Sequence, residues 1–311
     1  MDRENYNTKN EVKYSTFGDV IPAFLAPDHI LERNHLKKKI IDSDEIDSNI
    51  ELSSKEYDET SNIIIRERLK NAVEHNDIDV FVQPIVTLPQ RHVSFHELYG
   101  RLRVSSGIYL PAQEYMPLAA NEPMLNHLDA LLLSHFVKML SKHRKNHNRS
   151  NIAYFVNVKP STLRNRLFMG NLLTLLSRNK FIAKALIFEI KYSDFLMLSP
   201  GEQKILNGLA EIGCRFSLDH VDELPEDVKY LRANAIYFVK IAAQTLLKNS
   251  NSEHGFSEIL SRKHNLEVNG IDIIIEKIET EKTLLQILDF DLKYGQGFLF
   301  GKPDFKGVYT K

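Results

Sequence analysis

The chain has 311 residues, 43% of them hydrophobic and 26% charged, with a formal net charge of −1. That balance is ordinary for a soluble globular protein and gives no bulk electrostatic case for a nucleic-acid polymer or an anionic membrane. Cys214 is the single cysteine, which excludes a disulfide framework and points to a reducing, cytoplasmic setting. No apolar run reaches the ~20 residues of a membrane helix, and MDRENYNTKNEV lacks the apolar core of a signal peptide.

Residues 1–60 carry 14 Asp or Glu against 8 Lys or Arg. The stretch 40–60, acidic and serine-rich, has the composition of a linker, so 1–60 is expected to be an acidic, disordered tail. Within it VIPAFLAPDHIL (20–31) is a short apolar island broken by Pro22 and Pro27. It reads as a few sticky residues in that tail, with a docking peptide as the alternative. From residue 62 to about 305 the pattern is that of one folded domain. NIIIRERLKNAVEHND has helical spacing. VFVQPIV (80–86) and VSFHELYGRLRV (93–104) are β-rich and separated by a short turn, which predicts an antiparallel hairpin.

Strands and helices then alternate. The strands are AYFVNV (153–158), ALIFEI (185–190), RFSLDH (215–220), AIYFVK (235–240), IDIIIE (271–276) and KYGQGFLF (293–300). Helical stretches at 124–143, 199–213 and 280–290 lie between them. Apolar strands alternating with helices imply parallel strands covered by helices, and eight strands fit a barrel of TIM type. A doubly wound open sheet is the competing α/β arrangement, but no glycine-rich phosphate loop follows the first strand.

Most of these strands are apolar until they end on a polar side chain: Asn157, Glu189, Asp219, Lys240 and Glu276. Glu97 lies in the second strand, with Arg101 four residues on and therefore on the same face. In a parallel barrel the C-terminal strand ends share one rim, where active sites sit. Spacings of 60, 32, 30, 21 and 36 residues thus become a ring around one mouth. Glu97, Asn157, Glu189 and Asp219 are hard oxygen donors suited to Mg²⁺, Mn²⁺ or Ca²⁺. Lys240 and Arg101 could meet phosphate oxygens, and Glu276 could act as a general base towards water. Each residue alone reads as readily as a solvated rim charge, a helix cap or a structural His220; their joint placement carries the argument.

The same residues resemble the EAL domain family. ELYGR (97–101) resembles its EAL-x-R element, with Tyr99 in place of leucine. VQPIV (82–86), PAQEYMPLA (111–119), VNVKPSTL (156–163), FEI (188–190), SLDH (217–220), VKI (239–241), IEKIETE (275–281) and YGQGFLFGKP (294–303) match its further motifs in order. The resemblance implies a modified (β/α)₈ barrel with an antiparallel first strand, with cyclic di-GMP as ligand. It also implies, in active members, two Mg²⁺ or Mn²⁺ ions that activate water to give linear pGpG. Carried over by position, Glu97, Asn157, Glu189 and Asp219 would ligate metal, and Lys240 and Glu276 would orient or activate water. Glu279 and Gln296 would support metal-bound water, and Gln83 and Arg101 would touch the nucleotide.

Four departures bear on catalysis. The family's paired aspartates read Asp219-His220, its glycine-rich following loop reads VDELPED (221–227), the acid that braces this loop is Tyr192, and Lys277 replaces the glycine of EGVE. Imidazole is a softer, neutral ligand, so one metal position is expected to survive and the second to be compromised. Losing ~4 kcal/mol of transition-state stabilisation slows a reaction roughly a thousandfold. These variants resemble divergent EAL domains related to the flagellar regulator TipF, which act as receptors. The expectation is a cyclic di-GMP receptor signalling to a protein partner, such as flagellar or polar machinery, or through a homodimer. A working phosphodiesterase and a scaffold that binds no nucleotide are the alternatives.

Overall fold

A computed structural model describes residues 78–105, 108–111, 125–146 and 152–305, with scattered helical positions between 63 and 71. The acidic stretch 1–60, with its apolar island, lies outside the described residues, as does nearly all of PAQEYMPLA.

The chain runs β1 (Ile78–Thr87), β2 (Val93–Ser105), β3 (Ile108–Pro111), α1 (Leu125–Asn146), β4 (Ala153–Asn157), then three short helices α2 (Pro160–Arg164), α3 (Arg166–Arg178) and α4 (Lys180–Ala185). It continues β5 (Leu186–Lys191), α5 (Tyr192–Leu196), α6 (Pro200–Ile212), β6 (Arg215–Asp219), α7 (Val228–Ala233), β7 (Ile236–Ala242), α8 (Ala243–Asn249) and α9 (Glu253–Val268). β8 (Asp272–Glu276), α10 (Glu281–Leu288) and β9 (Tyr294–Gln296) close it. Strand order is β1-β9-β8-β7-β6-β5-β4-β2, and β1 pairs back onto β2, so eight strands form a closed barrel. β1 is antiparallel to both its neighbours, and the remaining ring pairs are parallel. The barrel with an antiparallel first strand is therefore the fold, as the alternation and the hairpin implied.

Two elements differ from expectation. β3, which pairs antiparallel with the outer part of β2, has no counterpart in the sequence reading. β9 stops at Gln296 rather than running to residue 300. The cause is at Gly297, where a Cβ would sit 2.0 Å from the Ile278 carbonyl oxygen. Two turns meet there: Ile278 N–H donates to the Gln296 carbonyl, and Leu299 N–H to that of Ile278. Only glycine permits this approach, and the chain turns away from the sheet.

Helix ends follow local chemistry. α6 opens with a capping box: the Ser199 hydroxyl accepts from Glu202 N–H, and the Glu202 carboxylate accepts from Ser199 N–H at 2.7 Å. Pro200 stands in its first turn and Gly213, at φ 106°, ends it in the left-handed conformation.

The barrel interior has a floor. Ile85, Phe155, Ile187, Phe238, Ile274 and Tyr294 pack with Phe95 in one cluster. Phe95 meets Phe155, Phe238 and Tyr294 edge-on, with ring centroids 5.6, 5.3 and 5.1 Å apart. Such a dry aromatic plug closes the barrel below its strand ends.

Candidate functional site

Strand side chains alternate in and out, so the residue two places along from each floor residue also points inward. Two after Phe95, Phe155, Ile187, Phe238, Ile274 and Tyr294 stand Glu97, Asn157, Glu189, Lys240, Glu276 and Gln296. On antiparallel β1 the step runs backwards, from Ile85 to Gln83. One apolar layer is therefore overlaid by one polar layer at the C-terminal rim.

Lys240 is the centre of that layer. It has no solvent exposure, and its ammonium sits 5.1 Å from the Phe155 ring centroid, on the floor. Nζ lies 2.6 Å from Glu97 Oε2, 2.8 Å from Glu189 Oε1 and 3.7 Å from Glu276 Oε1. Burial alone would lower its pKa, but Glu189 and Glu97 outweigh this and hold it well above the ordinary lysine value, so it is cationic. Around it, Gln296 Nε2 donates to Glu97 Oε2 at 2.8 Å and to Gln83 Oε1 at 3.1 Å, and Asn157 Nδ2 donates to Glu97 Oε1 at 3.2 Å. Gln83 Nε2 donates to the Gly301 carbonyl at 3.0 Å, fastening the closing turn to the site. Gln296 Oε1 is buried without a partner and is the one unsatisfied oxygen of this network among the described residues.

Two members were missed by the sequence reading. Tyr99 OH donates to Gln83 Oε1 at 3.2 Å, and Ser217 Oγ donates to Glu189 Oε1 at 3.3 Å. The signal was available: each lies two residues from a carboxylate already singled out on its strand, Glu97 and Asp219, hence on the same face. Ser217 also changes the picture of a level ring. Glu189 pairs in register with Ser217, and Asp219 with Lys191, so Asp219 stands one layer above Glu189. A barrel's stagger produces such offsets.

Asp219 makes its close bonds to its neighbour. Oδ1 accepts from His220 N–H at 2.7 Å and Oδ2 lies 2.6 Å from His220 Nδ1. Burial raises the Asp219 pKa, but the bond from His220 and the charge of Lys240 outweigh it and hold the carboxyl below the ordinary range. The same bond raises the His220 imidazole. Glu276 is pushed by burial up to about 7, against the pull of Lys240. Glu189 is raised well above the carboxylate range by complete burial. Arg101 lies farther along β2, its guanidinium 5.3 Å from the Tyr99 ring centroid and 5.7 Å from that of Phe81. Glu279 is exposed on the turn after β8 and joins none of these bonds.

Four carboxylates, Glu97, Glu189, Asp219 and Glu276, thus converge on one buried ammonium. The excess negative charge and the oxygen donors suit a hard divalent cation. The side chains are not gathered for one, however. Among the described residues no group of three or more His, Cys, Asp or Glu is placed to hold a metal ion. Lys240 occupies Glu97 and Glu189, and His220 occupies Asp219.

The profile of the EAL domain family matches residues 66–303. This chain belongs to the EAL domain family. EAL relatives include the cyclic di-GMP phosphodiesterase PdeF of Escherichia coli (strain K12), 22% identical over 241 residues that make up 78% of this chain and 32% of that protein. PdeA of Borreliella burgdorferi is 24% identical over 268 residues, covering 81% of this chain and 40% of the relative. The chain thus spans well under half the length of these two relatives. Among solved structures, the Xanthomonas citri FimX EAL domain in complex with c-diGMP superposes with a TM-score of 0.65 at 14% identity, covering 80% of this chain and 96% of that one. The PaMucR phosphodiesterase in its c-di-GMP complex gives a TM-score of 0.66 at 18% identity, covering 77% and 97%. These likenesses establish the EAL fold. Among the described residues no helix is long and apolar enough to cross a membrane.

Proposed function

We propose that this EAL domain is a cytoplasmic cyclic di-GMP receptor that binds the dinucleotide at the strand-end mouth and hydrolyses it weakly or not at all. The observation that carries the reading is the Asp219–His220 pair. Both oxygens of the carboxylate are turned to one neighbouring residue, and that residue is an imidazole. EAL phosphodiesterases in general depend on divalent metal. The donor set here suits one Mg²⁺ or Mn²⁺ at most, held by Glu97, Asn157, Glu189 and Asp219 once their present partners release them. Such an ion would supply positive charge to a phosphate. A second ion would need His220 in the role of a carboxylate, which its chemistry does not fit.

Binding needs only the chain's own groups. Gln83, Tyr99, Gln296 and Arg101 line the β1/β2/β9 side with donors and aromatic faces that suit a guanine nucleotide. The signal would pass to a protein partner, with flagellar or polar machinery as the reading suggested by the TipF likeness, or to a second copy of the chain. Calorimetry with cyclic di-GMP, with and without Mg²⁺, tests this; absence of binding at tens of micromolar refutes it.

Phosphodiesterase activity is the second reading, favoured by Glu276. A carboxyl brought up to about 7 is matched to taking a proton from water near neutral pH. Formation of pGpG in Mg²⁺ or Mn²⁺, abolished by Glu97→Ala, would establish it over the receptor.

A further inference from the structure

Two turns at the mouth share an unusual construction. In each, a carboxylate ends a strand and the next residue is basic, non-glycine and left-handed: Asp219 then His220 at φ 54°, and Glu276 then Lys277 at φ 58°. Glycine adopts this backbone freely and asparagine, aspartate and histidine tolerate it; lysine has no such tolerance and its Cβ crowds the backbone there. Neither residue is compensated by packing. The His220 side chain is 60% exposed, held only at its Nδ1 edge by Asp219. Lys277 is exposed and makes no ion pair or hydrogen bond among the described residues. It lies near enough to His220 for the two to repel when both are charged. Arg91, Ala235 and Asp291 take a similar φ elsewhere, so the backbone alone does not single these turns out; what does is a basic side chain set directly after a site carboxylate in both.

The consequence is electrostatic. A phosphodiester approaching this mouth meets four carboxylates. The central ammonium, Lys240, cannot answer, being wholly buried and spent on Glu97 and Glu189. Arg101 is stacked beside Tyr99 and Phe81 on the β2 side. Among the described residues, Lys277 is an exposed cation directly after the β8 carboxylate, and His220 directly after that of β6 keeps one edge free. We propose that Lys277, supported by His220, is a phosphate-contacting residue that receives one phosphodiester of the bound dinucleotide directly. This rests on the cyclic di-GMP reading above, and deepens it by naming a specificity residue in a position where the resemblance to the family expects glycine.

The test uses the full chain, Lys277→Gly and Lys277→Gln. Binding of cyclic di-GMP is followed by calorimetry in chelator and in Mg²⁺, at low and raised salt, with thermal unfolding alongside. Both variants should bind about tenfold more weakly, the loss of one charge-assisted contact, and should lose part of the salt dependence. Lys277→Gly relieves the backbone clash, so its Tm should be unchanged or rise by up to roughly 2–4 °C even as affinity falls. A structural lysine behaves otherwise: Lys277→Gly would lower both Tm and affinity while Lys277→Gln kept both, and that result overturns the inference. So does wild-type binding with both variants within twofold of it. If the wild type itself fails to bind, the receptor reading falls and this inference with it.

Discussion

The strands at the mouth of the barrel fall into two unlike sets. On β2, β5, β7 and β9, Glu97, Glu189, Lys240 and Gln296 are each at most 4% exposed and linked by hydrogen bonds and ion pairs. At the ends of β6 and β8, which flank β7, Asp219 and Glu276 are followed by exposed His220 and Lys277 in left-handed turns. The first set stands at positions where the family resemblance holds, and in the second the residue after each carboxylate departs from it. A buried polar layer is constrained by its own mutual satisfaction, because each charge lost strands the others. The exposed turn residues are under no such constraint and can change their chemistry one at a time.

The largest effect is expected of Lys240→Met. Three nearby carboxylates would lose their counter-charge in a dry site, at a cost of about 3–5 kcal/mol. Tm is expected to fall by roughly 10 °C or more, read by calorimetric or circular-dichroism melting. A fall under ~3 °C would mean that the buried set around Lys240 is not held by its charges. Adding Glu97→Gln to the same chain should recover part of the loss, since contacting residues couple.

Gly297→Ala comes next, because Gly297 joins the end of β9 to the turn after β8. Its absent Cβ lets the turn after β9 accept and donate bonds at Ile278, in the turn that carries Lys277. Forcing a methyl there should cost about 1–3 kcal/mol, seen as lower Tm and faster amide exchange at Ile278 and Leu299. If exchange rises across the whole barrel by the same factor, the two turns do not form a local unit.

How much of this was legible in the sequence depends on which physical rule decides each residue. Strand alternation placed Glu97, Asn157, Glu189, Lys240 and Glu276 at one rim, and the helical stretch 199–213 met α6 to within a residue at each end. The height of Asp219 was not readable, since it depends on the pairing of β6 with β5 and on an irregularity in its pairing with β7. Nor were the left-handed turns, because that backbone announces itself through glycine or asparagine, and here it carries histidine and lysine. Tyr99 stands where the family motif has leucine, and the likeness of ELYGR to that motif drew attention to the residues kept, away from the hydroxyl added. The complete burial of Lys240 followed from neighbours distant in sequence, which a strand-end lysine does not reveal.

The smallest expected effect lies outside the polar layer, at the start of α6. The Glu202 carboxylate accepts from Ser199 N–H and Oγ–H and from Arg164 at 2.7, 2.6 and 2.7 Å. Burial would raise its pKa, but these bonds outweigh it and hold it below the ordinary value. A depressed carboxyl stabilises the fold above its unfolded pKa, and that contribution is lost as pH falls through the folded one. Glu202→Gln should therefore cost about 1 kcal/mol at neutral pH, with the gap to wild type closing as the pH drops below about 4.5. A gap that stays constant down to pH 3 would assign the effect to packing.

The two-residue step between floor and polar layer has a consequence for how such a barrel can evolve. Inserting or deleting one residue within β4, β5, β7 or β8 would exchange a floor side chain for one that belongs under the surrounding helices and turn the polar side chain out of the barrel. Divergence inside the strands is thus restricted to point substitution. Length changes can be absorbed in the loop of residues 222–227, beyond the last inward-facing position of β6, whereas the turn after 276 is fixed by the close approach of Gly297 to Ile278. Tolerance mapped by a library of single-residue insertions should drop to near zero across the strands and recover in that loop.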